Sequence, residues 1–354
     1  MSGFSSDSIN LSPFGMEYEW KVSKIPPVTI LENEFDIHQQ TEAGGNQSSI
    51  TTFTLLGFGK FFEFQILLFI LSLVVYILAV AGNLLIIVLV AVDQHLHTPM
   101  YFFLMNLSAL ETCYISNILP RMLSSFLTGD RSISFKGCVT QWYFFAFLGS
   151  TECYLLSMMS YDRCLAICKP LHYMNIMSGR LCLQLASTSW MSGIITSTII
   201  TFFMLQLTFC GPHEIDHFFC DIFPVSDLSC TNPYFVKLST YILGGLGTVV
   251  PFTLTLVSYI CIILTVLRIP SKVAQQKTFS TCSSHLIVVI LFYGSLFIVY
   301  VIPETDTMKE LHKTFSLLYT VLTPMFNPLI YSLRNREVKE ALCRSARKFS
   351  NRVL

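Results

Sequence analysis

Two carboxylates stand where a carboxylate is costly. Glu111 and Glu152 interrupt the long apolar stretches 98–126 and 138–161. One bare carboxylate at membrane depth is expensive, and two side by side are worse. Glu111 lies 13 residues after Thr98, about 20 Å along a helix rising 1.5 Å per residue. Glu152 lies 11 residues before Arg163, about 16 Å from the same boundary on an oppositely directed helix. At similar depth the pair must share a proton, bind a cation, or hydrogen-bond to polar neighbours such as Asn83 and Asn327. A second constellation is Asp162 beside Arg163 at the end of the same stretch. An ion pair at a membrane edge can hold a resting conformation; an ordinary interfacial anchor is the plainer reading. A third gathers Cys210, Cys220 and Cys230 with His213, Asp216, His217 and Asp221. The residue types suit a metal, but their spacing matches no zinc pattern, and disulfides fit an exterior loop better. No nucleophile–base pair or metal-ligand cluster stands at membrane depth, so the sequence predicts no enzyme.

The elements that position these groups are helices in lipid. Of 354 residues, 53% are hydrophobic and 12% charged, against about 25% charged in a soluble domain. That composition excludes a disordered chain, a collagen-like repeat and a nucleic-acid binder working through bulk charge, and disfavours a soluble enzyme. A span needs about 20 mostly apolar residues. Seven stretches qualify: 64–92, 98–126, 138–161, 181–212, 238–267, 278–303 and 314–333. The expected fold is an all-α membrane protein with a seven-helix bundle over 63–333. A transporter or channel is the rival class, but it would need repeated halves and a charge-lined pathway.

The zero net charge hides a polarity. With seven spans, the side holding the C-terminus carries 13 Lys/Arg and four acids, and the other side nine bases and 16 acids. Basic residues collect in the cytoplasm, which puts the N-terminus outside and the C-terminus inside. The tail 1–62 is expected to be extracellular, with 1–45 disordered. It lacks the apolar run of a signal peptide, so the first span is expected to be an uncleaved anchor. Asn10 and Asn46 sit in glycosylation sequons; a third, at Asn106, falls inside a span and reads as chance. Four cysteines, Cys138, Cys210, Cys220 and Cys230, face the oxidising side and allow three pairings.

Four motifs follow in order. Pro99-Met100-Tyr101-Phe102-Phe103-Leu104 opens the second span, and Met159-Ser160-Tyr161-Asp162-Arg163-Cys164-Leu165-Ala166-Ile167-Cys168 closes the third. Lys277-Thr278-Phe279-Ser280-Thr281-Cys282-Ser283-Ser284-His285-Leu286 opens the sixth, and Pro324-Met325-Phe326-Asn327-Pro328-Leu329-Ile330-Tyr331 ends the seventh. Together these closely resemble the olfactory receptor family of rhodopsin-like G-protein-coupled receptors, from about residue 46 to residue 348. Three features depart from the family pattern: Cys164 replaces the usual tyrosine, Glu111 stands for the common aspartate, and the tail ahead of Asn46 is longer than usual.

The resemblance implies a plasma-membrane odorant receptor that activates a stimulatory, olfactory-type G protein and raises cyclic AMP. A related chemoreceptor acting outside the nose is the variant of that reading. It implies that Asp162 and Arg163 switch on activation with Tyr259, Asn327, Pro328 and Tyr331. It implies the disulfides Cys138–Cys220 and Cys210–Cys230, and a sodium ion between Glu111 and Glu152 as the only cofactor-like group. Helical spacing then proposes a ligand pocket from Phe145, Ala146, Gly149 and Ser150 of the third helix and Leu243, Gly244 and Gly247 of the fifth. Tyr293, Leu296, Phe297 and Tyr300 of the sixth, with Leu317 and Thr320 of the seventh, complete it. None of these is charged, so the expected ligand is a small, neutral, mostly apolar volatile. Within the tail 334–354, Val338, Ala341 and Leu342 form the apolar stripe of an amphipathic helix among bases, expected on the inner leaflet. Cys343 beside them is a palmitoylation candidate, with a free thiol the plainer reading.

Overall fold

The computed structural model describes residues 52–57, 64–210, 213–300, 302, 308–334 and 336–353. The chain divides into the units Met1–Ser48 and Ser49–Leu354. The first unit, with Asn10 and Asn46, lies outside the described residues, and all that follows concerns the second.

This unit is mostly helical. The long helices are α1 (Gln65–Val92), α2 (Pro99–Thr128), α3 (Phe135–Cys168) and α4 (Gly179–Met204). Next come α5 (Tyr234–Leu267) and α6 (Lys272–Tyr300). Helix α7 starts as Lys309–Leu317, passes through a π-turn at Leu318–Leu322 and ends as Thr323–Arg334, and α8 is Arg336–Val353. Helix boundaries follow local chemistry. Pro99 opens α2, where its missing N–H costs nothing, and Gly129 ends it at φ 74°, a left-handed cap that suits glycine. Ser134 and Ser178 cap α3 and α4 through their hydroxyls.

The distribution of polarity is inverted relative to a soluble protein. Ile66, Leu67, Val88, Leu246, Val249 and Ile290 are exposed, while Asn83, Glu111, Glu152, Thr320 and Asn327 are buried. Water would not tolerate that outer surface, and lipid demands that polar groups turn inward. Among the described residues, α1, α2, α5 and the Cys282–Tyr300 part of α6 are each long and apolar enough to cross a membrane. Helices α3, α4 and α7 carry more polar residues, and α3 is the most enclosed, packing against α2, α4 and α5. Gly193 lets α4 approach α3, because a Cβ there would lie 2.5 Å from the Phe147 carbonyl oxygen.

A small sheet was not foreseen. Strand β1 (Thr52–Leu55) pairs antiparallel with β2 (Ser132–Ser134) and parallel with β3 (Glu214–Ile215). Phe53 and Leu55 are buried beneath it, with Phe53 edge-on to Phe209 at 5.2 Å. The segment preceding α1 is thereby fastened to two interhelical loops.

Candidate functional site

A cavity of about 390 Å³ lies among α2–α7. Helix α3 lines it with Phe145, Ala146, Gly149 and Ser150, all four of which the spacing proposed, and α6 contributes Tyr293, Leu296, Phe297 and Tyr300. From α5 only Gly244 of the proposed three reaches it. The reason is geometric. A π-turn occupies Thr240–Gly244, and its extra residue rotates the helix out of 3.6-residue phase. Tyr241, Gly245, Thr248 and Phe252 therefore face the cavity, and Leu243 and Gly247 do not. Gly247 instead leaves room for Ser150, whose hydroxyl would sit 3.2 Å from a Cβ there. The π-turn in α7 has the same effect: Tyr319 lines the cavity, whereas Leu317 and Thr320 stay outside it. Thr320 is buried and donates to the Ser316 carbonyl at 2.6 Å.

Other walls had no counterpart in the spacing argument. Tyr114 comes from α2, Trp142 and Cys153 from α3, Thr196 and Ile200 from α4, and Ile222 and Phe223 from a short loop helix, Ile222–Asp227. The loop residues had one signal. Cys138 and Cys220 are bonded, with Cα atoms 5.4 Å apart, and the Cys220 N–H donates to Gln141 Oε1 at 3.0 Å. That tether draws the residues just after Cys220 over the cavity. Cys210 is bonded to Cys230, with Cα atoms 6.0 Å apart. Among the described residues, no Asp, Glu, Lys, Arg or His lines the cavity.

The polar groups of the loop between α4 and α5 are fastened rather than exposed to ligand. Lys313 donates to Asp216 at 2.6 Å. His217 is packed between Phe218 and Phe219, with centroids 4.6 and 4.5 Å away. Burial, with the Lys313 ammonium adding to it and Asp216 opposing, holds the His217 imidazole down at about 3. Among the described residues, no cluster of three or more His, Cys, Asp or Glu could hold a metal.

Beneath the cavity, Glu111 and Glu152 are both fully buried. Asn327 Nδ2 donates to Glu111 Oε1, and Asn83 Nδ2 donates to the Pro324 carbonyl at 2.9 Å, joining α1 to α7. Pro328 packs against Gly82. Among the described residues, Glu111 Oε2, both Glu152 oxygens, Asn83 Oδ1 and Asn327 Oδ1 have no hydrogen-bond partner. All are acceptors, so the group wants protons or a cation.

At the far end of α3 from the cavity, Asp162 accepts from Tyr173 Oη at 2.7 Å. Tyr173 belongs to the short helix Tyr173–Ile176, so the loop after α3, not the neighbouring arginine, supplies this contact. Arg163 Nε has no hydrogen-bond partner among the described residues. Tyr259 Oη is 2.7 Å from His285 Nδ1, with the rings stacked, which links α5 to α6. Tyr331 is buried, with its hydroxyl unpartnered. His285 stood in a quoted motif, yet nothing in its spacing announced this bond. On α8, Val338 and Ala341 are buried against the bundle, and Arg344 bonds Asp93 at 2.8 Å.

Comparison with known proteins decides the family. A family model described as olfactory receptor matches residues 71–348. The chain belongs to the olfactory receptor family. It is 50% identical over 300 residues to Olfactory receptor 10A7 of Homo sapiens, covering 85% of this chain and 95% of that one. It is 48% identical over 299 residues to Olfactory receptor 1G1 of Gorilla gorilla gorilla, covering 84% and 96%. Olfactory receptor 11L1 of Homo sapiens is similar at 45% over 303 residues, covering 86% and 94%. Membership makes this an odorant receptor of the G-protein-coupled class, a multi-pass plasma-membrane protein and not an enzyme. In the receptor, the aromatic cavity and the Arg163 end stand at opposite ends of α3.

Proposed function

We propose that the receptor takes a small, neutral, mostly apolar volatile into the cavity beneath the Ile222–Asp227 helix. It answers by activating a stimulatory, olfactory-type G protein at the Arg163 end, which raises cyclic AMP. The observation that carries this reading is the cavity itself: about 390 Å³, walled by aromatics, threonines and glycines, with no Asp, Glu, Lys, Arg or His among its described lining residues. Asp221, behind the wall, accepts from the Tyr300 hydroxyl at 3.4 Å and from the Ile222 N–H at 2.6 Å, so its carboxylate is engaged by the protein rather than offered to a cationic amine. On this reading the chain crosses the membrane seven times over 63–333, with the 1–62 tail outside and the 334–354 tail in the cytoplasm. The charge asymmetry supports that orientation. Helix α8 meets the anionic inner leaflet through its bases, while Val338 and Ala341 dock it to the bundle. Arg163, Tyr259 and Tyr331 rearrange on activation, and Pro251 and Pro328 lie inside helices that can bend there.

The orphaned acceptors beneath the cavity fit a sodium ion. Glu111 and Glu152 would hold it with the carbonyl oxygens of Asn83 and Asn327, and it would supply the positive charge the two carboxylates lack.

The test is an odorant panel on cells expressing the receptor, with cyclic AMP and ion flux read in parallel. Cyclic AMP rising without a flux supports receptor function. A flux that needs no G protein would overturn it in favour of a channel or transporter.

A further inference from the structure

A tryptophan that borders the cavity carries an unspent hydrogen-bond donor. Trp142 borders the cavity, is only 4% exposed, and its indole Nε1–H has no hydrogen-bond partner among the described residues. An indole N–H only donates, and a buried donor left unpaired is costly enough that most find a partner. The tyrosine hydroxyls nearby are differently placed. Tyr293 donates to the Cys153 carbonyl at 2.9 Å, and Tyr300 and Tyr319 are 3.0 Å apart. These two bonds are satisfied within the protein, whereas the Trp142 donor is not. Its ring is also fixed in place, 5.7 Å from Phe145, which in turn lies 4.8 Å from Phe219. A rigid donor set in an aromatic wall is a specificity element, because it rewards an acceptor at one point and offers nothing elsewhere.

We infer that the receptor selects neutral ligands bearing a carbonyl-type acceptor, such as ketones, aldehydes or esters, whose oxygen takes the Trp142 Nε1–H bond while the carbon skeleton fills the space beside Gly149. The inference rests on the ligand reading of the cavity proposed above. A carbonyl oxygen accepts without bringing a donor that itself needs a partner. A hydrocarbon leaves the indole unpaired, and an alcohol brings an O–H to satisfy. Ser150 Oγ, also unpartnered and bordering the cavity, sits two turns deeper on α3 and is the second point where a polar group can bind.

The experiment compares ketones and esters with hydrocarbons of the same skeleton. Cyclic AMP is read on the unmodified receptor, Trp142→Phe and Trp142→His at matched surface expression. Phenylalanine keeps the aromatic wall and removes the N–H; histidine restores a ring donor. Carbonyl compounds should lose about tenfold in potency on Trp142→Phe, the scale of one net hydrogen bond. They should recover part of it on Trp142→His, while any active hydrocarbon is unmoved. Carbonyl potency unchanged on Trp142→Phe, or an equal fall for both compound classes, overturns the inference and leaves the cavity reading intact. So does a failure of Trp142→His to improve on phenylalanine. A panel in which nothing activates the unmodified receptor at confirmed surface expression removes the cavity reading, and the inference with it.

Discussion

At the scale of single residues, chemistry was easiest to read where burial and charge conflict. Glu111 and Glu152 are rare acids in apolar helices, and the structure buries both among acceptors that lack donors. If a sodium ion bridges them, raising sodium at constant ionic strength should lower agonist potency, and Glu152→Gln should flatten that dependence. Potency indifferent to sodium in the unmodified receptor would leave a shared proton as the account of the pair. Arg163 has an unpartnered Nε, consistent with a group whose partner arrives with the G protein. Arg163→Ala should reach the cell surface normally and lose ligand-stimulated cyclic AMP; surface labelling beside the cyclic AMP assay checks this, and normal signalling rejects the role. The Tyr259–His285 and Asp162–Tyr173 bonds were not legible. Each joins residues on different elements, and which side chains meet across an interface depends on helix rotation that a single sequence does not encode.

At the scale of elements, the spacing matches the cavity lining where helices are regular and departs from it where they are not. All four α3 and all four α6 positions proposed from spacing border the cavity. In α5 and α7 the π-turns at Thr240–Gly244 and Leu318–Leu322 shift the phase, so Leu243, Gly247, Leu317 and Thr320 lie off it and Tyr241 and Tyr319 take their place. No residue type announces such a turn. The three-strand sheet escaped for a related reason: strands of two to four residues are too short for an alternating pattern to register. The loop carrying β3 makes a testable demand on acidity. His217 is held at about 3 by burial, against an ordinary 6.5. The unfolded chain therefore binds a proton that the folded chain refuses between those values, and stability falls as pH drops through that window. Thermal unfolding of the purified receptor should show Tm declining from about pH 6.5 downward, and His217→Gln should lessen the slope. An unchanged slope in that variant would assign the acid sensitivity to other groups.

At the scale of the whole molecule, two tasks occupy the ends of one long helix. Helix α3 lines the cavity with Phe145, Gly149 and Ser150 and carries Asp162 and Arg163 in its last two turns; between them lies Glu152, packed where α2 and α7 bring Glu111 and Asn327 together. Ligand occupancy at one end can thus bias packing at the other through side chains with more than one arrangement. The membrane class was legible from composition and the family from four motifs, since both are written in local sequence. The cavity's volume and its roof were not, because they depend on how seven loops and helices close together. The central claim is that an odorant acts from inside this cavity. It is tested most directly by filling the cavity with Gly149→Leu. A Cβ there is in ordinary van der Waals contact with Tyr114, at 3.8 Å, so a side chain can leave the backbone at this position without a clash while the ligand space shrinks. At matched surface expression, agonist potency in the cyclic AMP assay should fall by more than about tenfold, or roughly 1.4 kcal/mol of binding. Potency equal to that of the unmodified receptor would contradict the account, because it would place the ligand somewhere other than the space between these helices.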